Sequence, residues 1–295
     1  MSIYNIVKKY ECVPNIHKLI ISVPEIAKKA QPGQFVLVMV DEKSERIPLT
    51  IADWDVTTGT ITLFVQEVGL STTKFAFMEE GDSFFSIVGP LGKPAYLDKF
   101  GTVVLGGGCF GIGAIYSIAK KLKKLENYVI TIIEARNDWL LYFEDEFQSI
   151  SDEVIVTTSD GSKGSKGYIY DVLDNMITEG REIDHIKVIG CNVMMSKVSA
   201  LTKEKGSIPT YATVSAIMVD GTGMCGACRL TYDGKTKFAC VDGPEFNAHK
   251  IDWEELIQIR NTTYIQEETL AFQTHSPQCL SLKRFAEIKD EEELF

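Results

Sequence analysis

Asp220, Cys225, Cys228 and Cys240 stand in the spacing D-x4-C-x2-C-x11-C. Thiolates are the usual ligands of iron–sulfur clusters, and the plant-type two-iron cluster takes four of them in the order C-x4-C-x2-C…C. Here cysteines fill the last three places and Asp220 the first, so a carboxylate oxygen would replace one sulfur on one iron. Glycines at 221, 223 and 226 suit a loop folded closely around inorganic sulfide, because glycine accepts positive φ and close backbone approach. A structural zinc site also uses C-x2-C, but the second Cys or His pair of a zinc ribbon has no counterpart here. The spacing favours a 2Fe-2S cluster, and a zinc-stabilised nucleotide-binding adaptor without redox turnover is the competing reading.

A second constellation is Gly106-Gly107-Gly108-Cys109-Phe110-Gly111-Ile112-Gly113, between a strand-like run and a helix-like run. In that context glycines let a pyrophosphate approach a helix N-terminus, although a tight packing turn needs the same residues. The next strand ends in Glu134-Ala135-Arg136. Glu134 is placed to accept from a ribose hydroxyl, Arg136 to meet a 2′-phosphate, and the two point to opposite cofactors. The third strand ends at Ser159-Asp160, where an acid would repel a 2′-phosphate, so NAD(H) is favoured over NADP(H); Arg136 and Lys163 keep a phosphate in play. Arg46-Ile47-Pro48-Leu49-Thr50 and Gly69-Leu70-Ser71-Thr72-Thr73 put hydroxyls and backbone amides beside a strand. Such groups can hold a flavin ring edge and a diphosphate, or be an ordinary strand and a Ser/Thr-rich helix cap.

The elements around these residues change character along the chain. Runs at 2–12, 15–22, 34–40, 47–52, 60–66 and 84–88, separated by turn residues, predict a small antiparallel barrel. From about residue 100, apolar runs at 102–106, 129–134, 154–158 and 186–190 alternate with helical stretches near 112–124, 142–149, 168–178 and 193–204, the pattern of a parallel sheet with both faces covered. The expected division is 1–97 for a flavin-binding barrel, 98–212 for a nucleotide-binding α/β domain, 213–250 for a cluster segment, and 251–295 for a tail. The tail carries a short helix at Trp253–Arg260 and an acidic amphipathic helix at Leu282–Phe295, a candidate for docking a partner along with Cys279.

Composition sets limits. Of 295 residues, 45% are hydrophobic and 24% charged, ordinary for a globular chain. A net charge of −11 argues against nucleic acid as a partner, because phosphate neutralisation needs a basic face. The N-terminus is charged where a signal peptide would be apolar. The long uncharged run Val103–Ala119 holds five glycines and reads as strand, turn and helix rather than a membrane span. Seven cysteines, an odd number with three in cluster spacing, fit a reducing compartment, and the cytoplasm is the expected location. Cys12, Cys109, Cys191 and Cys279 stand outside the motif. The four histidines, His17, His185, His249 and His275, have no metal-pair spacing, with His249 the one near the cluster segment. No Ser-His-Asp set or paired carboxylates support hydrolysis.

Taken in order, Pro32-Gly33-Gln34-Phe35-Val36, Arg46 to Thr50, Gly69 to Thr73, Gly89-Pro90-Leu91-Gly92, the glycine turn and Gly190-Cys191-Asn192-Val193-Met194-Met195 resemble the ferredoxin–NADP reductase superfamily. The resemblance covers residues 1 to about 250. With the cluster segment appended, the chain is similar to the dihydroorotate dehydrogenase electron-transfer subunits and to the small subunits of bifurcating NADH-dependent reduced ferredoxin:NADP oxidoreductases, also called sulfide dehydrogenases. The former carry four cysteines; the latter resemble this chain in having one Asp and three Cys.

The resemblance implies an oxidoreductase subunit that moves electrons between NAD(H), FAD and a 2Fe-2S cluster, and onward to a larger flavin and 4Fe-4S subunit, with ferredoxin reached through it. The same module could serve a dihydroorotate dehydrogenase or a hydrogenase. It further implies FAD contacts at Arg46, Pro48, Leu49, Thr50, Phe64, Val65, Val68, Gly69, Ser71 and Thr72. The implied nucleotide contacts are Gly107, Gly108, Gly111, Ile112, Gly113, Glu134, Ala135, Arg136, Ser159, Asp160 and Met194, with Cys191 beside the nicotinamide. The superfamily's flavin motif has Arg three places before Ser or Thr, whereas Arg46 stands four before Thr50.

Overall fold

The computed structural model describes residues 4–258. The helix expected at Leu282–Phe295, Cys279, His275 and the end of Trp253–Arg260 lie outside the described residues; 253–258 is helical.

The first part holds strands β1 (Ile6–Val13), β2 (Ile16–Ser22), β3 (Phe35–Met39), β4 (Ile47–Thr50), β5 (Asp53–Asp55), β6 (Thr60–Gln66) and β7 (Ser86–Leu91), with helices α1 (Pro24–Ala27) and α2 (Leu70–Ala76). These make two antiparallel sheets, ordered β1-β2-β6-β5 and β4-β3-β7. The β1–β2 turn is two residues long, with Asn15 at φ 67, a conformation that Asn tolerates better than most residues. Leu19, Ile21, Val36, Val38, Ile61, Leu63, Val65 and Phe75 form a core between the sheets. Six strand runs were expected. The seventh, β5, pairs with β6 across a short turn in which Asp55 accepts from the amides of Thr57 and Thr58.

The second part comprises β8 (Thr102–Gly108), α3 (Gly111–Ala114), α4 (Tyr116–Lys124), β9 (Tyr128–Ala135), α5 (Glu144–Gln148), β10 (Glu153–Thr158), β11 (Ser165–Lys166), α6 (Ile169–Thr178), β12 (His185–Ile189), α7 (Asn192–Glu204) and β13 (Thr210–Thr213). Strands β8, β9 and β12 are buried almost throughout, as strands covered on both faces must be. The sheet order is β11-β10-β9-β8-β12-β13-β16, where β16 is Glu245–Asn247. The chain runs outward from β8 to β9 and β10, then returns to place β12 on the other side of β8. That reversal opens a crevice at the carboxyl ends of β8 and β12, where doubly wound sheets bind ligands.

The last part adds a hairpin, β14 (Arg229–Tyr232) with β15 (Lys235–Phe238), then α8 (Ala239–Asp242) and β16. Strand β16 pairs antiparallel with β13, so the expected parallel sheet is mixed at this edge. Phe35 and Leu37 of β3 share a core with Cys228, Cys240, Leu230 and Phe246, which packs this segment against the first part. Ala52 and Phe64 share another core with Ile112, Ile115 and Val103. Among the described residues, no helix is long and apolar enough to cross a membrane.

Candidate functional site

The glycine turn is shaped by contact. A Cβ at Gly111 would lie 2.0 Å from the Ile189 carbonyl oxygen, at Gly107 2.9 Å from the Ile112 Cα, and at Gly113 2.2 Å from the Phe64 ring. These glycines let α3 press against β12 and the first part. Gly108 is different, with Glu134 Oε1 at 3.6 Å and the Met194 Cε at 3.7 Å from its Cβ position, ordinary contacts that leave main chain approachable.

Several expected residues converge here. Cys191 precedes α7 with its thiol exposed and accepts from the Met194 amide at 3.4 Å. Cys109 is itself exposed, but desolvation by the packed turn around it, the Cys191 thiol and Glu134 push its thiol up to about 11, so Cys109, Cys191 and Glu134 share one neighbourhood. Glu134 Oε2 accepts from the Ile169 amide at 2.7 Å, at the start of α6. Burial pushes its carboxyl up, against that hydrogen bond. Ala135 is buried and Arg136 exposed; the Arg136 carbonyl accepts from the Ser159 hydroxyl at 3.1 Å and the Asp160 amide at 3.2 Å. The Asp160 carboxylate accepts from the hydroxyl and amide of Ser162, which hold it below the usual range.

On the flavin side, Pro48, Leu49 and Thr50 pair with Leu37, Val36 and Phe35. Thr72 Oγ1 accepts from the Val68 and Gly69 amides at 2.9 and 3.0 Å, satisfying main-chain donors at the start of α2. The Ser71 hydroxyl donates to Glu45 at 2.7 Å, and Val68 is exposed. Phe64, Val65 and Ile112 are buried; the Phe64 ring lies 4.9 Å from Phe143 and 5.5 Å from Tyr142. The side chains of these three serve the core.

Arg46 makes a contact that spacing did not signal. Its Nη1 donates to the Val219 carbonyl at 3.2 Å, reaching the cluster loop from the edge of β4.

In that loop Gly221, Gly223 and Gly226 have φ of 72, 84 and 68. The Asp220 carboxylate accepts from the Thr222 amide at 2.9 Å and the Cys225 amide at 2.7 Å; these N–H groups, Thr222 first, hold its carboxyl below the usual range. Cys228 and Cys240 are buried together, with the Cys240 amide donating to Cys228 Sγ at 3.4 Å. Burial and the neighbouring Cys228 push the Cys240 thiol up. Metal binding would release such protons. Among the described residues, no three His, Cys, Asp or Glu side chains converge to hold one metal ion. A two-iron cluster takes four ligands, and the four candidates lie close in the fold: the Cys225 amide reaches the Asp220 carboxylate and the Cys240 amide reaches Cys228 Sγ. The donor set, one carboxylate and three thiols on a glycine-rich loop and the hairpin and short helix that follow it, fits a two-iron cluster. His249 contacts Thr202 at 2.9 Å rather than a member of this set.

A family model described as the iron-sulfur cluster binding domain of dihydroorotate dehydrogenase B matches residues 215–252. The dihydroorotate dehydrogenase B (NAD(+)) electron transfer subunit homolog of Thermotoga maritima is 42% identical over 268 residues, 91% of this chain and 94% of that protein. The chain belongs to this family of electron-transfer subunits. A probable member from Pyrococcus horikoshii is 31% identical over 75% of this chain and 80% of its own length. Among solved structures, one of the NADH-dependent reduced ferredoxin-NADP oxidoreductase, described for flavin-based electron bifurcation, superposes with a TM-score of 0.87 at 40% identity, covering 92% of this chain and 98% of that one. The Amycolatopsis cytochrome P450 reductase, at 19% identity and TM-score 0.59 over 69% of this chain and 65% of its own, shares the family's reductase fold.

Proposed function

We propose that this oxidoreductase subunit moves electrons between NAD(H), FAD and a 2Fe-2S cluster, and on to a larger flavin and 4Fe-4S subunit through which ferredoxin is reached. The observation that supports the reading is that Asp220, Cys225, Cys228 and Cys240 lie in one loop-and-hairpin segment packed on β3, with the Cys225 amide on the Asp220 carboxylate and the Cys240 amide on Cys228 Sγ. A bound flavin supplies the exchange between two-electron nicotinamide and one-electron cluster.

In this reading residues 1–97 hold the flavin, 98–212 the nucleotide and 213–250 the cluster. Pro48, Leu49 and Thr50 border the flavin ring, and the Val68–Thr72 turn offers its diphosphate the Ser71 hydroxyl. Gly108 gives the nucleotide diphosphate its approach, with Gly107, Gly111 and Gly113 shaping the turn. Glu134 accepts from the ribose, and Ser159 and Asp160 close that end against a 2′-phosphate, which supports NADH. Cys191 and Met194 orient the nicotinamide. The thiol content supports a cytoplasmic location.

The test is anaerobic titration of the purified chain with NADH and, separately, NADPH, following flavin absorbance and the electron paramagnetic resonance of the reduced cluster. Bleaching and a 2Fe-2S signal with NADH support the reading; a colourless protein containing zinc overturns it. Asp220→Cys should keep two irons per chain and shift the midpoint potential. An Asp220→Ala variant with unchanged iron and potential would remove Asp220 from the ligand set. Co-purification with a dihydroorotate dehydrogenase catalytic subunit, in place of a larger 4Fe-4S subunit, would reassign the partner.

A further inference from the structure

Arg46 immediately precedes β4, the strand bearing Pro48, Leu49 and Thr50, yet its guanidinium reaches 173 residues along the chain to the carbonyl of Val219 at 3.2 Å. Val219 directly precedes Asp220, whose carboxylate is tied down by the Thr222 and Cys225 amides. One residue further on, Gly221 sits where a Cβ would come within 2.7 Å of Leu91 Cδ1 and 2.9 Å of Leu37 Cδ1. Residues 219–221 are therefore attached to the β4-β3-β7 sheet at two points, a polar one at Arg46 and a steric one at Gly221. Arginine remains charged at every working pH and offers several donors in a rigid fork, so it brings a permanent positive charge as well as a tether to the chain beside Asp220.

We infer that Arg46 is a positioning residue of the cluster rather than a ligand of the flavin diphosphate: it fixes the main chain at Asp220 against the flavin-bearing sheet and favours the more negative, reduced state of the cluster. The inference rests on the cluster reading above. Its geometry explains why Arg46 stands one place too far from Thr50 for the superfamily's diphosphate motif. The residue serves the loop opposite.

The test compares the full-length holoprotein with Arg46→Gln and Arg46→Lys, measuring iron and sulfide, the FAD dissociation constant, and the cluster midpoint in a redox titration followed by electron paramagnetic resonance. Arg46 is exposed, so both variants should fold. In Arg46→Gln the FAD dissociation constant should stay within about twofold of wild type. The ratio of reduced to oxidised cluster at fixed potential should fall by about threefold to tenfold, a downward shift of ~28 to ~59 mV for one electron. Arg46→Lys should recover most of that shift by restoring the charge. A Gln variant whose FAD affinity drops more than about tenfold with an unchanged cluster midpoint overturns the inference and returns Arg46 to the diphosphate. Wild-type protein without iron and sulfide overturns the cluster reading itself, a failure visible before any variant is made.

Discussion

The glycine turn at 106–113 and the cluster loop at 219–228 are both glycine-rich and each lies beside a carboxylate, but the physical reasons differ. In the turn, Gly107, Gly111 and Gly113 do not have positive φ; they are required because other atoms occupy the space a Cβ would take. In the loop all three glycines have positive φ; at Gly226, φ 68, only Phe238 comes within reach of a Cβ, at 3.7 Å, so there conformation rather than space is decisive. The carboxylates divide the same way. Burial pushes Glu134 up, whereas amide N–H groups hold Asp220 down. The nucleotide side is built by close packing, and the cluster side by backbone direction, joined at Gly221 by close packing on Leu91 and Leu37.

If that contrast is right, Gly111→Ala has the largest effect. Its Cβ position is 2.0 Å from the Ile189 oxygen, and main chain in the middle of a sheet cannot step aside as a flexible side chain would. A cost of ~3 kcal/mol is expected, lowering Tm by roughly 6–12 °C for a chain of this size, with NADH affinity falling in parallel. A melting curve superimposable on wild type would show that the turn is not closed by contact.

Glu134→Gln has an intermediate effect and separates packing from recognition. Gln can still accept from the Ile169 amide, so the start of α6 is kept. Losing a charged acceptor should weaken NADH binding about tenfold if Glu134 meets the ribose. The pH dependence supplies a second reading. The folded-state pKa of Glu134 lies above its ordinary 4.5, so the folded chain binds more protons than the unfolded one in the window between those values. Its contribution to stability is complete below about pH 4.5 and is lost as pH rises through the elevated value. Wild type should therefore lose stability across that window relative to Glu134→Gln; parallel pH profiles would place Glu134 in contact with water.

Much of this architecture was legible because it is local. Continuous apolar runs announce β8, β9 and β12, and the D-x4-C-x2-C spacing needs no tertiary information. What escaped depends on residues distant in sequence. Strand β16 is three residues long and exists by pairing with β13 across the cluster segment. Helix α2, whose start the sequence offered as a Ser/Thr-rich cap, contains threonine, a weak helix former, and draws on Thr72 Oγ1 accepting from the Val68 and Gly69 amides. That the Phe64 ring fills the space over Gly113 joins residues 49 positions apart and leaves no local signal. Arg46 belongs to a flavin motif by position and to the cluster loop by contact, a distinction that spacing cannot encode.

The smallest predicted effect tests the cluster side most closely. With φ 68 at Gly226, Gly226→Ala should cost only ~1 kcal/mol, the penalty of an L-residue in the left-handed region, and lower Tm by roughly 2–4 °C. Gly226→Asn should cost less, because Asn visits that region more readily. Iron and sulfide content should be unchanged in both, since Phe238 at 3.7 Å is an ordinary contact. If Gly226→Ala instead folds normally but loses its iron, the side chain is meeting the cluster itself. Glycine would then be needed there for room as well as direction, and the contrast between the two loops would break at that residue.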